Sequence, residues 1–154
     1  MLLSLPFGPS DALLLIEPKV LQRLITFRQL DTSAPEAGGI LLGYRRGPHI
    51  HVSDVTVPTK RDVQRRFAFF RHATDHQRVA TRRWKQSGET MDYVGEWHTH
   101  PEDDPSPSGI DLQHWREIAS VAPRPMIFLI VGRQSNWCGV GLKRRLEQLA
   151  VVDR

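Results

Sequence analysis

The sequence predicts an α/β fold, a mixed β-sheet flanked by about three helices, from three observations. Segments with strand-like and helix-like apolar patterns alternate along the chain. Residues 38–57 hold two apolar runs on either side of Gly47-Pro48, which is typical of an antiparallel hairpin. An amphipathic run at 109–121 leads, across a proline-rich turn, into the apolar run 126–131, which indicates a helix followed by a buried strand.

In the first half, a helix is predicted at 18–30. Pro18 suits a first helical position, and apolar residues recur at helical spacing from Val20 to Leu30. The polar stretch 31–35 ends this helix. The strands predicted in this half are residues 12–17, 38–44, 49–57 and 66–70.

In the second half, a helix is predicted from residue 74 or 75 to about residue 86, with Val79, Ala80 and Trp84 on its inner side. The tail, 144–152, fits either a strand or a helix. The other predicted elements are a strand beginning at 93–97, a helix at 109–121, and strands at 126–131 and 136–142.

Length and composition favour a single domain, 1–154, of ordinary globular type, with 40% hydrophobic and 25% charged residues. The single cysteine, Cys138, excludes a disulfide framework or a cysteine-based zinc cluster, and we expect it to be a structural strand residue. The apolar N-terminus lacks a basic flank, and no apolar run reaches the roughly 20 residues of a membrane span. We therefore expect a soluble, cytoplasmic protein.

The net charge is +4, and arginines concentrate between Arg61 and Arg83. No motif of a known nucleic-acid recognition module accompanies them. We expect a solvated basic face, with an acidic protein partner as the next alternative and a nucleic-acid-binding module as a weaker one.

Two histidines, His98 and His100, stand two positions apart at the end of the predicted strand 93–97. Such residues point to one face and lie roughly 6.5–7 Å apart, so both imidazoles can reach one ion. Asp111, at the start of the next helix, would be a third ligand and leave a fourth position for water, as in hydrolytic zinc sites. Two alternatives exist: ordinary strand histidines, and a capping box formed by Ser108 and Asp111.

The pattern His98-x-His100-x7-Ser108-x2-Asp111 resembles the signature of the JAB1/MPN/Mov34 (JAMM) metallopeptidases, and the segment 36–43 resembles their upstream glutamate and glycine-rich strand. The resemblance implies a curved mixed sheet, similar to the cytidine deaminase fold. It also implies Zn²⁺ held by His98, His100 and Asp111, with Glu36 as general base and Ser108 as a donor to the oxyanion. A metal-free scaffold is disfavoured because no motif position is missing.

Residues 95–101 resemble the stand-alone prokaryotic JAB branch, which includes deconjugating isopeptidases of bacterial anti-phage cyclic-nucleotide (CBASS) operons. This implies a protein substrate, a cyclic-nucleotide synthase joined through its C-terminus to a target. The alternative within the family is a ubiquitin-like sulfur carrier. Gly38 and Gly39 allow close approach of backbone or of a substrate, and an extended tail lying along a sheet edge beside them is the expected binding mode.

Other candidate groups are weaker. We expect His49 and His51 to lie at the surface. The segment His72–His76 resembles an inverted zinc motif but has Asp75 in place of glutamate, so we expect no zinc there, although His76 is a candidate lining residue of the substrate channel. Glu96 shares the face of His98, but its Cα lies roughly 10 Å from the midpoint of the histidines, too far for a ligand.

Overall fold

The computed structural model describes residues 1–150 and Val152, and the predicted α/β class with a curled mixed sheet is confirmed. Eight strands form one sheet in the order β1-β2-β4-β3-β7-β8-β9-β10, and β5 and β6 form a separate two-stranded sheet. The elements, in chain order, are β1 (Leu2–Ser4), β2 (Leu13–Ile16), α1 (Pro18–Ile25), β3 (Gly38–Arg46), β4 (His49–Val55), β5 (Val63–Arg65), β6 (Ala68–Phe70), α2 (Ala73–Gln86), β7 (Asp92–Thr99), α3 (Gly109–Val121), β8 (Met126–Val131), β9 (Asn136–Leu142) and β10 (Arg145–Gln148). Across this described part of the chain, no helix has the length and apolar character that crossing a membrane requires.

The predicted hairpin is the centre of the sheet. β3 pairs antiparallel with β4 on one side and with β7 on the other, and both ladders shift register near Leu42. Such bulges bend a sheet and increase its twist. The two ends of the curled sheet approach each other, because Ser4 N–H donates to the Ala150 carbonyl and Val152 N–H donates to the Leu2 carbonyl.

The tail, which fitted either type of element, contains strand β10. Val151, within that tail, lies outside the described residues. Strand β1 was not predicted. The apolar N-terminus pairs with β2 and contributes Leu3 to the main core.

Strand β8 is buried along its whole length, because both of its faces are covered. Ile127 and Leu129 point into the main core, whereas Phe128 and Ile130 point into a smaller core beneath α3. In that smaller core, Trp115 of α3 stacks on Phe128 at a centroid distance of 4.8 Å. This packing fixes α3, and therefore its first turn, against the end of the sheet.

Helix α1 ends at Ile25, five residues before the predicted end at 30. The chain leaves the helix at Thr26, whose hydroxyl donates to the Arg23 carbonyl. Gln29 is then turned into the interior, with 1% of its surface exposed. The apolar spacing alone did not reveal this polar residue as a buried one.

Helix α2 lies where the sequence predicted it, and Val79 and Ala80 are half-buried as predicted for its inner side, but the prediction was wrong for Trp84. The buried residue of α2 is His76, whereas Trp84 is partly exposed. His76 is buried because Thr56 and Asp62 provide hydrogen-bond partners for both ring nitrogens, at 2.5 and 2.9 Å. The predicted strand 66–70 is shorter and forms the second strand, β6, of the small β5–β6 hairpin.

Candidate metal centre

The carboxyl end of β7 and the first turn of α3 bring three side chains together. His98 Nε2 and His100 Nε2 lie 3.0 Å apart. Asp111 Oδ1 lies 3.3 Å from His98 Nε2, and Asp111 Oδ2 lies 3.2 Å from His100 Nε2. A tetrahedral zinc site with bonds of about 2.0–2.1 Å has ligand atoms about 3.3–3.4 Å apart, so these three side chains fit a metal ion of that kind.

The capping box of Ser108 and Asp111 is present, and it is compatible with Asp111 as a metal ligand. Ser108 Oγ accepts from the Asp111 N–H at 3.1 Å, and Asp111 Oδ2 accepts from the Ser108 N–H at 2.7 Å, which completes a capping box. The cap therefore holds the carboxylate in the position from which it faces the histidines. The Ser108 hydroxyl proton is not needed for this cap and is available to a ligand in the groove.

Glu36 reaches the same place from the segment before β3, because β3 and β7 pair with Gly38 opposite His98. Glu36 Oε1 lies 4.0 Å from His98 Nε2, and Glu36, His98 and His100 each offer a ligand atom within 4.8 Å of the others. This distance exceeds the edge of a zinc tetrahedron, whereas the distances between Asp111 and the two histidines match it, so Asp111 fits a third ligand position better than Glu36 does.

Burial makes Glu36 a weaker acid than an ordinary glutamate. Desolvation, with a smaller contribution from the Asp111 carboxylate and against the effect of His100, raises the pKa of Glu36 to about 7. Burial has the same tendency at Asp111, but hydrogen bonds with His100 and His98 outweigh it and hold the pKa of that carboxyl well below its usual range. The Asp111 carboxylate is thus kept charged where it faces the imidazoles, while Glu36 is suited to exchange a proton near neutral pH.

A groove of about 820 Å³ runs over these residues. Its walls are the β5–β6 hairpin and the start of α3, and both present exposed apolar side chains: Phe67, Phe70 and Ile110 are 70%, 59% and 81% exposed. Glu36, Ser108, His98, His100 and Asp111 all line this groove. The structure therefore brings together every residue that the motif singled out.

The two glycines of β3 allow close approach of neighbouring backbone, the first of the two predicted alternatives. A Cβ on Gly38 would lie 2.6 Å from Phe69 Cδ1, and one on Gly39 would lie 2.3 Å from the Thr56 carbonyl oxygen. Glycine is therefore needed at both positions for internal packing. At Gly38 the neighbour is Phe69 of the β5–β6 hairpin. Because β3 is paired on both sides, it also offers no sheet edge to a substrate.

The other candidate side chains have structural partners. Glu96 Oε1 pairs with Arg71 at 2.6 Å and accepts from the Tyr93 hydroxyl. His51 Nε2 lies 2.7 Å from Glu17, and His49 accepts from the Leu13 N–H, so these two partly exposed histidines have protein partners at the surface. His76 does not line the groove.

The basic segment divides into paired and unpaired arginines. Arg61, Arg71 and Arg83 pair with Asp75, Glu96 and Asp54. Arg78 and Arg82, on α2, make no ion pair within the described residues and remain solvated, as expected. The hairpin wall was the part of the groove that sequence reasoning missed, and the closely spaced phenylalanines at 67, 69 and 70 were its one signal.

Comparison with known proteins agrees with this geometry. Residues 17–143 match the family model described as prokaryotic homologs of the JAB domain. The chain is 42% identical over 145 residues to a protein of Vibrio cholerae named CD-NTase/cGAS isopeptidase, covering 94% of this chain and 90% of that protein. It is 40% identical over 139 residues to an Escherichia coli protein of the same name, covering 90% and 88%.

A more distant relative, a probable metalloprotease of Sinorhizobium fredii, is 30% identical over 108 residues, 66% of each chain. The solution structure of protein DSY2949 from Desulfitobacterium hafniense superposes with a TM-score of 0.64 at 19% identity, covering 90% of this chain and 91% of that one, and supports the fold alone. The predicted family, and with it a hydrolase of the JAMM type, is therefore confirmed: the chain belongs to the family of prokaryotic homologs of the JAB domain.

Proposed function

We propose that this protein is a zinc-dependent isopeptidase that hydrolyses the amide bond between the C-terminus of a conjugated protein and an amine of its target. The observation that carries the proposal is the convergence of His98, His100 and Asp111, with Glu36 beside them, at the floor of an open groove. His98, His100 and Asp111 would hold the ion. When bound, zinc supplies a Lewis acid that makes water nucleophilic near neutral pH.

The protein side chains then have separate tasks. Glu36, with its raised pKa, accepts a proton from the attacking water and returns it to the leaving amine, so that water and amide become carboxylate and amine. The Ser108 hydroxyl donates to the oxygen of the scissile carbonyl as negative charge develops on it. Glu96 has a structural role instead, because its carboxylate pairs with Arg71.

The shape of the groove favours an extended tail over a folded surface. β6 pairs with β5 on one side and, in the described part of the chain, with no strand on the other. A tail that added a strand along the outer side of β6 would gain backbone hydrogen bonds and place apolar side chains near Phe67 and Phe70. This replaces β3 as the proposed docking edge.

The relatives' names direct the choice of substrate. Two of them are named for action on a CD-NTase or cGAS, and they cover most of this chain. We therefore propose a cyclic-nucleotide synthase, joined to its target through its own C-terminus, as the substrate, and an anti-phage setting for the reaction.

The test is intact-mass spectrometry of three substrates: a fusion of the synthase's C-terminal region to a reporter, the same fusion with a ubiquitin-like sulfur carrier, and casein. We expect cleavage directly after the last synthase residue, and no cleavage by the Glu36→Gln variant. Cleavage of casein with an intact synthase junction would contradict the proposal. Preferential cleavage of the sulfur-carrier fusion would reassign the substrate.

A further inference from the structure

Gln29 is a buried polar residue that the proposed chemistry does not use. It lies between α1 and β3 with 1% of its surface exposed, yet its side chain contacts three separate parts of the site. Its Nε2 donates to the carbonyl oxygens of Ala34 and Arg66, at 3.0 and 2.8 Å, and its Oε1 accepts from the Thr99 hydroxyl at 2.9 Å. These hydrogen bonds offset the cost of burying the amide. Removing the amide would leave the two carbonyl oxygens and the Thr99 hydroxyl without this partner.

The direction of these hydrogen bonds is determined by the partners. Two of the groups that face Gln29 are carbonyl oxygens, which only accept, so the amide nitrogen must face them. Thr99 Oγ1 already accepts from the Ala37 N–H at 3.0 Å, so the Thr99 hydroxyl proton points to Gln29. One ordered chain of hydrogen bonds therefore runs from Ala37 through Thr99 and Gln29 to the Arg66 carbonyl.

The residues in this chain flank the catalytic groups. Thr99 lies between His98 and His100, and its side chain points to the opposite face of β7. Ala37 follows Glu36. Arg66 lies in the turn of the β5–β6 hairpin, directly before the exposed Phe67 of the groove wall.

The hairpin has other attachments: Gln64 Nε2 donates to the Glu36 carbonyl at 3.1 Å, and Phe69 packs against Gly38. The hairpin's ends are held by the Arg71–Glu96 ion pair and by the Asp62–His76 hydrogen bond. On the β5 side, the Glu36 N–H donates to the Arg65 carbonyl at 2.6 Å. Gln29 is the side chain that connects the Arg66 carbonyl to the strand that carries the histidines.

We propose that Gln29 is a positioning residue that holds the turn of the β5–β6 hairpin at a fixed height above β7, so that the groove is formed before the substrate tail arrives. A preformed groove lowers the ordering cost of binding, and its loss weakens binding of the tail more than it slows the chemical step. The kinetic part of this proposal rests on the proposed function.

The test compares Gln29→Met with Gln22→Met. Methionine resembles glutamine in size but cannot make these hydrogen bonds, and Gln22 lies on the exposed face of α1. For Gln29→Met we expect one zinc per chain, as in the wild type. We expect amide exchange to be faster than in the wild type in 63–70 and unchanged in 109–121. We also expect KM for the tail fusion to rise about tenfold, the effect of roughly 1.4 kcal/mol of lost interaction, with kcat changed much less.

The experiment distinguishes a positioning role of Gln29 from a purely structural role, and it distinguishes both from failure of the proposed function. If Gln29→Met lowers the melting temperature but leaves the exchange of 63–70 and KM equal to those of Gln22→Met, the proposal is wrong. If the wild type cleaves no tail fusion, the proposed function fails, while amide exchange still tests the attachment of the hairpin. Should Gln29→Met not fold, Gln29→Asn, whose amide is one methylene too short to span Thr99 and Arg66, is expected to show the same two changes, and their absence would overturn the proposal.

Discussion

The proposed ligands and the proposed base of the metal centre, called the ligand half and the base half, are held in place in different ways. His98, His100 and Asp111 come from one strand end and the helix that follows it, and a local capping box orients the carboxylate. Glu36 comes from a distant segment and is placed by the pairing of β3 with β7 and by contacts with the β5–β6 hairpin.

This difference has a consequence for substitutions. In the ligand half, the packing of Trp115 on Phe128 places α3, and the local capping box then orients the Asp111 carboxylate. We therefore expect a change at a ligand side chain to remove a chemical group and leave the fold intact. In the base half, the geometry depends on close tertiary packing, so we expect small changes to affect stability and substrate binding together. The four predictions below test this contrast.

The largest effect is expected from loss of a ligand. His98→Ala or Asp111→Ala removes one of three ligands, so we expect bound zinc and cleavage to be lost together. Elemental analysis after dialysis, beside the cleavage assay, measures both. Wild-type protein is expected to carry one zinc per chain and to lose activity on chelation. A wild type that carries well under half an equivalent, and takes up none when zinc is added, would contradict the proposed zinc enzyme.

The next effect is expected from loss of the base. Glu36→Gln preserves the size of the side chain but cannot accept a proton, so we expect near-stoichiometric zinc and a loss of roughly 10²–10⁴-fold in kcat. Glu96→Gln is the control: it weakens the pair with Arg71 and is expected to lower stability without a comparable loss of turnover. An active Glu36→Gln beside an inactive Glu96→Gln would reverse our assignment.

The contrast also explains what could be predicted from the sequence. The ligand half was predictable because its spacing is local: strand parity places His98 and His100 on one face, and Ser108-x-x-Asp111 forms the capping box. Glu36 was named only through a family resemblance, since no local pattern shows that Gly38 pairs with His98.

The rest of the site depended on tertiary packing. Gln29 follows an apolar helical pattern, but the helix itself ends before Thr26, and two of the three partners of Gln29, Arg66 and Thr99, lie far away in sequence. Gly38 and Gly39 were interpreted as space for backbone or for a substrate, and Phe69 and Thr56 fill that space. A single sequence does not reveal which neighbours fill the space above a glycine.

A mixed effect is expected at Ser108, the residue with two roles. Ser108→Ala removes the cap, at a cost of about 0.5–2 kcal/mol, and also removes the proposed oxyanion donor, worth roughly 10²–10³-fold in kcat. Ser106→Ala, at an exposed position of the same loop, is the control. Thermal unfolding and kcat together separate the roles, because a loss of stability with unchanged kcat would leave Ser108 as a helix cap alone.

The smallest effect, and the most direct comparison of the two halves, comes from one substitution made in each. Gly38 and Gly109 both lack a positive φ angle, so alanine is compatible with the backbone at either position. Replacing glycine by alanine restricts the unfolded chain similarly at both positions, so that contribution largely cancels in the difference between them. What remains is the space around the added methyl group in the native state.

That space differs sharply between the two positions. Nothing lies within 4 Å of the Cβ position at Gly109, so we expect Gly109→Ala to stabilise the protein slightly, by about 0.4–1 kcal/mol. At Gly38 the methyl group would lie 2.6 Å from Phe69 Cδ1 and 2.8 Å from the Trp97 carbonyl oxygen, so we expect a loss of about 1–3 kcal/mol. Because Phe69 belongs to the groove wall, KM for the tail fusion should also rise in Gly38→Ala and stay unchanged in Gly109→Ala. Equal changes in melting temperature and in KM for the two variants would show that the base half does not depend on close packing of the hairpin.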